Sequence, residues 1–192
     1  MGRTDLQKLL DEKKSARKHL FDECWPDAAE QMAWEGNQPL VMIFPTKEKS
    51  NREMVYKLLE GLLILHVRVV VVTDDSAGEN YKKHAGRILW LNPEGGRMAP
   101  VIDEWLTASD MAVVFDEKQA TLNTLFDKGV VAIGHAKSPL LQNYNAIEES
   151  GNSFTYTEKN TWGVFAALVR ACETFHFPYD WQHIIRGILK VR

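Results

Sequence analysis

Two acidic side chains, Asp116 and Glu117, directly follow a short apolar segment, residues 111–115. The segment has no polar alternation, which is typical of strands that are buried on both faces. In open parallel α/β sheets, ligands bind beyond the carboxyl ends of the strands. Acids at this position therefore support the hypothesis of a binding or catalytic site, although acids that only form a turn are also common there.

Two lysines, Lys47 and Lys49, lie between a predicted strand, residues 40–44, and a predicted helix, residues 51–65. Strand-to-helix loops of α/β proteins often bind phosphate through helix N-terminal amide groups and a basic side chain. This loop has no glycine that would let the backbone approach a phosphate closely. The chain also has neither a P-loop nor a G-x-G-x-x-G motif. The two lysines are therefore compatible with a phosphate-binding loop and with an ordinary connecting loop.

A further polar segment begins with His135, Lys137 and Ser138, after the predicted strand of residues 130–133. Long polar loops at the carboxyl edge of a sheet often carry binding groups. The six histidines are scattered along the chain and form no H-E-x-x-H or comparable metal motif. No Ser-His-Asp or Cys-His motif stands out either. The sequence therefore predicts neither a metal site nor a bound cofactor.

Length, charge, cysteine content and apolar segments exclude several classes of protein. The chain has 192 residues, which fits one domain, and a formal net charge of -3, which gives no electrostatic case for nucleic acid or an anionic membrane. Cys24 and Cys172 are far apart and are expected to be reduced thiols. The first residues are charged and lack the apolar segment of a signal peptide. The longest apolar run, residues 61–72, contains charges and is too short to span a bilayer. We therefore predict a cytoplasmic protein.

Predicted helices and strands alternate along most of the chain, which is the pattern of a parallel α/β sheet. The predicted strands after residues 40–44 are residues 67–72, 87–91, 111–115, 130–133 and an edge strand at 153–156. The predicted helices are residues 4–24, 28–34, 51–65, 81–85, 99–108, 120–128, 161–175 and one that starts at Pro178.

The first of these helices is rich in basic residues. Lys13 and Arg17 follow the same helical spacing as its leucines, and Lys14 and Lys18 lie beside them. We interpret this cluster as a solvated helix face in preference to an anion site.

The order of these segments resembles the C-terminal domain of GT-B glycosyltransferases, above all bacterial glycogen and starch synthases. Residues 40–62 are similar to the family's first strand, basic loop and helix. Residues 108–134 are similar to its "ADM" segment, strand and Glu-bearing loop, and residues 149–171 and 180–187 to its last strand and amphipathic helix. The resemblance covers about residues 6–187 and depends more on segment order than on single motifs.

The resemblance implies an α/β fold, a Rossmann-like three-layer sandwich with a mostly parallel sheet. It implies one domain over residues 1–192, with a helical lead-in at residues 1–38, an α/β core at residues 39–175 and a C-terminal helix at residues 176–192. The family's acceptor-binding domain has no counterpart in this sequence.

The resemblance also implies a chemistry. Enzymes of this family transfer glucose from ADP-glucose or UDP-glucose to a glucan with retention of configuration. Glu117 matches the acid of the family's FEPCGL loop, so we expect it to be catalytic and to hydrogen-bond the donor sugar. Lys49 matches the family's phosphate-binding lysine, with Lys47 nearby, and Lys137 and His135 stand where the family has paired arginines. We expect these four residues to bind substrate.

Several residues depart from the family pattern. Phe44 and Pro45 stand where the family has an arginine, and residues 118–120 replace Pro-Cys-Gly. Glycine there lets helix amides approach the donor phosphates, whereas Ala120 adds a Cβ atom. The glycine-rich anion nest after the next strand is also missing. We therefore predict a degenerate domain with little or no transferase activity alone.

Other functions remain open at this level. The same fold could serve as a non-catalytic binding or assembly module. An unrelated doubly wound domain, response-regulator-like or epimerase-like, is a third alternative. The partners that we predict are a nucleotide-sugar and a separate acceptor domain or a second copy of the chain, with no nucleic acid and no membrane.

Overall fold

The computed structural model describes residues 3–24, 38–44, 48–73, 87–91 and 99–191. Its strands are β1 (Leu40–Phe44), β2 (Arg68–Val72), β3 (Ile88–Leu91), β4 (Met111–Val114), β5 (Val131–His135) and β6 (Ser153–Tyr156). Its helices are α1 (Arg3–Cys24), α2 (Lys49–Leu62), α3 (Ala99–Ala108), α4 (Gln119–Asp127), α5 (Thr161–Phe175) and α6 (Pro178–Lys190).

The six strands form one sheet in the order β3-β2-β1-β4-β5-β6. Every neighbouring pair is parallel. The chain passes from β1 to β2 on one side and from β4 to β5 on the other. Because crossovers between parallel strands are nearly always right-handed, α2 and α4 are expected on opposite faces of the sheet. Helix α2 packs against α5, and α4 packs against α6. The predicted Rossmann-like α/β fold is confirmed, and the 2-1-3-4-5 order of response regulators is excluded.

The central strands are apolar because helices cover both faces of the sheet. All residues of β2 and β4 are buried, as are the first four residues of β1. One apolar core continues from these strands into the buried faces of α2, α5 and α6. Burial on both faces explains why these strands lack the alternation of a half-exposed sheet.

Two predicted elements differ from the structure by two or more residues at a boundary, and several others differ by one residue. Helix α2 begins at Lys49 and ends at Leu62, not at residues 51–65. Strand β5 continues through His135, which the sequence suggested would begin a loop. The extension arises because His135 lies opposite Tyr156 of β6. The helices predicted at residues 28–34 and 81–85 lie outside the described residues.

The interpretation of the basic cluster on α1 was wrong for two of its four residues. Lys13 is 4% exposed, and its Nζ donates to the carbonyl oxygens of Ser109 at 2.6 Å and Thr107 at 3.4 Å. Arg17 donates to the carbonyl oxygen of Ala108 at 2.7 Å and to Asp110 at 2.8 Å. The last carbonyl groups of a helix lack partners within it and attract cations. The two side chains therefore fix α1 to the C-terminal end of α3, whereas Lys14 and Lys18 are exposed as expected.

Lys13 makes the stability of the fold depend on pH. Burial lowers the pKa of Lys13 to about 7, against the opposing effect of Asp110. An unfolded lysine has a pKa of about 10.4, so the unfolded chain binds more protons between these values. The destabilising effect of the buried charge is complete below about pH 7 and disappears as the pH rises toward 10.

We expect the free energy of unfolding to rise between pH 7 and pH 9 by up to about 1.4 kcal/mol per pH unit on account of Lys13. The variant Lys13→Met should lack this rise, whereas Lys14→Met, which changes an exposed neighbour, should retain it. Urea unfolding of the three proteins at pH 7, 8 and 9 measures the difference. Parallel curves for the wild type and Lys13→Met would contradict the expectation.

Three further observations concern residues that the structure describes. No helix among them combines the length and apolar character needed to cross a bilayer. They include no group of three or more His, Cys, Asp or Glu side chains arranged to hold a metal ion. Cys172 is a buried thiol without a disulfide bond.

Candidate functional site

Strands β2 and β3, which follow β1 in the chain, lie on one side of it in the sheet, whereas the strands that follow β4 lie on the other side, so the strand order reverses between β1 and β4. The carboxyl ends of these two strands are adjacent, since Phe44 lies opposite Val114. Helix α2 begins after β1 and α4 begins after β4, so both helices present their N-termini at this edge. Neither N-cap residue, Glu48 or Lys118, caps its helix through its side chain. Ligands of doubly wound proteins bind at such a switch point.

Glu117 is fixed at the same edge, in the loop between β4 and α4. Its Oε1 accepts a hydrogen bond of 2.9 Å from the backbone N–H of His135. Gly134 precedes His135 and leaves room for Leu141, because a Cβ atom there would lie 2.5 Å from the Cδ1 of Leu141, whereas its distance of 3.4 Å from the Cγ of Glu117 would be an ordinary contact. The acid is therefore held across the end of β5.

The imidazole ring of His135 is used inside the protein. Its Nδ1 accepts a hydrogen bond of 3.2 Å from the backbone N–H of Lys137. Its Nε2 lies 3.0 Å from the carbonyl oxygen of Thr157. With Nδ1 as the acceptor, the proton is on Nε2, which donates to Thr157. His135 thus connects β5, the following loop and the end of β6.

The predicted phosphate-binding lysines lie at two places along the edge. Lys49 is the first residue of α2, and its exposed Nζ is 3.8 Å from Glu53. Lys137 is exposed in the turn after β5, and in the part of the chain that the structure describes it makes no ion pair. Lys47 lies outside the described residues. No hydrogen bond or ion pair joins Lys49 to Glu117 or to Lys137 among the described residues.

Other charges along the edge are paired with each other. Lys118 and Asp116 form an ion pair of 2.8 Å, and the hydrogen bond to Asp116 raises the pKa of Lys118. Lys159, after β6, is 3.8 Å from Glu48 at the start of α2. The first pair lies within the loop between β4 and α4, and the second joins the segment after β6 to the start of α2.

Two buried hydroxyl groups lie at this edge, one on Tyr156, which was not predicted as a site residue, and one on Ser138, which the sequence placed in the polar loop after β5. Tyr156 ends β6 and is 3% exposed, and its ring lies 5.5 Å from that of His135 at an interplanar angle of 83°. Burial and the charge of Glu117 raise the pKa of Tyr156 well above its usual value. The hydroxyl oxygens of Tyr156 and Ser138 are buried and have no hydrogen-bond partner among the described residues. The sequence of residues 153–156, Ser-Phe-Thr-Tyr, predicts an edge strand and gives little sign that the hydroxyl of Tyr156 is buried.

The structure thus brings part of the predicted site together. Glu117, His135 and Lys137 are joined by hydrogen bonds at the carboxyl end of β5. Lys49 lies at the start of the helix that follows β1, the neighbour of β4.

The sequence matches no family model and no curated protein. The fold is similar to Anabaena Alr3699/HepE in complex with UDP, with a TM-score of 0.50 and 12% identity over 87% of this chain and 48% of that chain. The complex of the same protein with UDP and glucose gives a TM-score of 0.52 and 13% identity, over 87% of this chain and 47% of that chain. The chain therefore spans about half the length of these proteins.

A third similar structure has nearly the same extent as this chain. It is the C-terminal CMP-Kdo binding domain of WaaA from Acinetobacter baumannii, with a TM-score of 0.51 and 14% identity. The match covers 95% of this chain and 98% of that domain. At these identities the likeness concerns the fold, which is that of a Rossmann-like GT-B domain.

Proposed function

We propose that the chain is the nucleotide-sugar-binding domain of a GT-B glycosyltransferase that uses a nucleotide-glucose donor of the kind used by glycogen and starch synthases. The observation that carries the proposal is the carboxylate of Glu117, which the backbone N–H of His135 holds beside the switch point of a Rossmann-like sheet. A carboxylate accepts hydrogen bonds only, which suits the hydroxyl groups of a sugar.

The neighbouring helices supply the features that a diphosphate requires. The N-termini of α2 and α4 carry partial positive charge, and neither N-cap side chain caps the backbone N–H groups of its helix. In this proposal, Lys49 and Lys137 contact the phosphates from the two sides of the switch point, with Lys47 as a further cation. His135 acts through its neighbours, because its ring nitrogens contact Lys137 and Thr157.

The fold comparisons support the same class of ligand. The HepE structures contain UDP, and the WaaA domain is named for CMP-Kdo. In this proposal the chain supplies the donor-binding half of a GT-B cleft. Since transfer also needs an acceptor-binding half, we expect this chain to transfer little or no glucose from ADP-glucose or UDP-glucose by itself.

Isothermal titration calorimetry with UDP, ADP, UDP-glucose and ADP-glucose tests the proposal. Glu117→Gln should lower the affinity for the preferred nucleotide-glucose about tenfold, because it removes a charged acceptor, and should change the affinity for the nucleotide alone much less. Lys49→Ala and Lys137→Ala should each lower both affinities by about fivefold, since these exposed cations act in high dielectric.

Matched controls come from helix α2. Glu60→Gln and Lys57→Ala change exposed side chains of the same types and should leave all affinities unchanged. Equal losses in the control and site variants would reject the assignment of these residues. The absence of binding by the wild type to all four ligands would reject the proposed function and favour a non-catalytic assembly module with the same fold.

A further inference from the structure

The end of β6 contains a buried hydroxyl group that the fold does not use. Tyr156 is 3% exposed, and its phenol oxygen has no hydrogen-bond partner among the described residues. The other buried tyrosine of this region provides a contrast. Tyr144 is 7% exposed, and its hydroxyl donates a hydrogen bond of 2.7 Å to Asp180. Because an unpaired buried hydroxyl lowers stability, phenylalanine would serve the core better at position 156.

Three polar side chains, those of Glu117, Ser138 and Tyr156, belong to residues that contact His135 at the carboxyl ends of β5 and β6. Glu117 bonds to the backbone N–H of His135, and the ring of His135 lies against that of Tyr156. The backbone N–H of Ser138 bonds to the carbonyl oxygen of His135 at 3.0 Å, so Ser138 belongs to the same end of β5. Its hydroxyl is also buried and has no partner in the part of the chain that the structure describes.

The chemistry of these groups restricts what they can bind. A carboxylate disfavours an anion, whereas hydroxyl groups both donate and accept hydrogen bonds. A neutral ring with several hydroxyl groups matches this combination, and a phosphate does not. The phenol oxygen is covered, so a ligand reaches it only by displacing an adjacent side chain.

We propose that the hydroxyl groups of Tyr156 and Ser138, together with Glu117, form the subsite for the neutral sugar ring of the donor. This inference rests on the proposed function and adds to it two residues and a chemical class. The sugar would lie toward β5 and β6, and the diphosphate would lie toward the N-termini of α2 and α4.

The variant Tyr156→Phe tests the subsite through two readouts, because it removes only the hydroxyl. Without ligand, its melting temperature should be about 3 °C higher than that of the wild type, since an unpaired buried group is lost. Its affinity for UDP or ADP should be unchanged, and its affinity for the corresponding nucleotide-glucose should fall about fivefold, as measured by calorimetry. Ser138→Ala should change both quantities in the same directions.

Tyr144→Phe is the matched control. Its melting temperature should fall, because it removes the hydrogen bond to Asp180, and its affinities should not change. A lower melting temperature for Tyr156→Phe would overturn the subsite, since its hydroxyl would then have a structural partner such as a buried water. Undiminished binding of the nucleotide-glucose by Tyr156→Phe would also overturn it and leave the proposed function intact. If the wild type binds none of the four ligands, the proposed function fails and the subsite fails with it.

Discussion

Asp110→Ala is expected to lower the free energy of unfolding by about 3–5 kcal/mol, the usual effect of removing one partner from a buried ion pair. Oδ1 of Asp110 accepts from Arg17 at 2.8 Å, with both side chains largely buried. Oδ2 accepts from the buried backbone N–H of Leu40 at 2.8 Å. The substitution therefore removes the acceptors of a charged group and of a backbone donor at the start of β1.

Urea unfolding at pH 7 measures this loss, and two variants show its cause. Asp103→Ala removes an exposed acid that pairs with Lys128, so it should cost less than about 1 kcal/mol. Asp110→Asn retains one carbonyl acceptor and should be intermediate. In a double-mutant cycle, Arg17→Met should cost much less in the Asp110→Ala background than in the wild type. Additive losses would show that Asp110 and Arg17 do not act as a pair.

Gly151→Ala is expected to lower the free energy of unfolding by about 3 kcal/mol or more, through backbone strain and overpacking together. Gly151 has a φ of 113°, which side-chain-bearing residues rarely adopt. A Cβ atom there would lie 2.6 Å from the Cα of Tyr144 and 2.7 Å from the carbonyl oxygen of Asn143. These are backbone atoms, and the hydrogen bond from Tyr144 N–H to Ser153 at 2.8 Å restricts their movement.

The same turn provides the control for Gly151. Ile147 is 95% exposed, so Ile147→Ala should change the free energy of unfolding by less than about 0.5 kcal/mol. Gly129→Ala should cost an intermediate amount. Its φ of 60° is unfavourable for alanine, but the nearest atom to a new Cβ is the flexible Cδ2 of Leu9 at 2.4 Å. Urea denaturation of the three variants tests this ranking, and a Gly151→Ala protein as stable as Ile147→Ala would refute it.

Much of the fold follows from local patterns in the sequence. The strands at Leu40–Phe44 and Ser153–Tyr156 and the helix at Ala99–Ala108 have the predicted bounds. Gly129 directly follows the predicted helix of residues 120–128 and has the positive φ that glycine commonly adopts after a helix. These features depend on the spacing of apolar residues and on turn chemistry, which act over a few residues and can therefore be read from sequence.

Only part of the candidate site could be predicted from local sequence patterns. Glu117 and His135 could be predicted to lie at one edge of the sheet, because parallel strands end on the same side. The hydrogen bond between Glu117 and the backbone of His135 could not be predicted, since it depends on the pairing of β4 with β5. The burial of the Tyr156 hydroxyl could not be predicted either, because it also depends on contacts between segments that are distant in sequence.

Helix α1 shows the difference most clearly. Its sequence placed Lys13 and Arg17 on the apolar stripe, yet charge alone suggested contact with solvent. Only the packing of α1 against α3 brings these cations to carbonyl oxygens and to Asp110, more than 90 residues away in the chain. The sequence by itself determined the elements and their order, because those depend on neighbouring residues. The tertiary structure decided which polar groups are buried, paired or left for a ligand, because those contacts join segments that are distant in sequence.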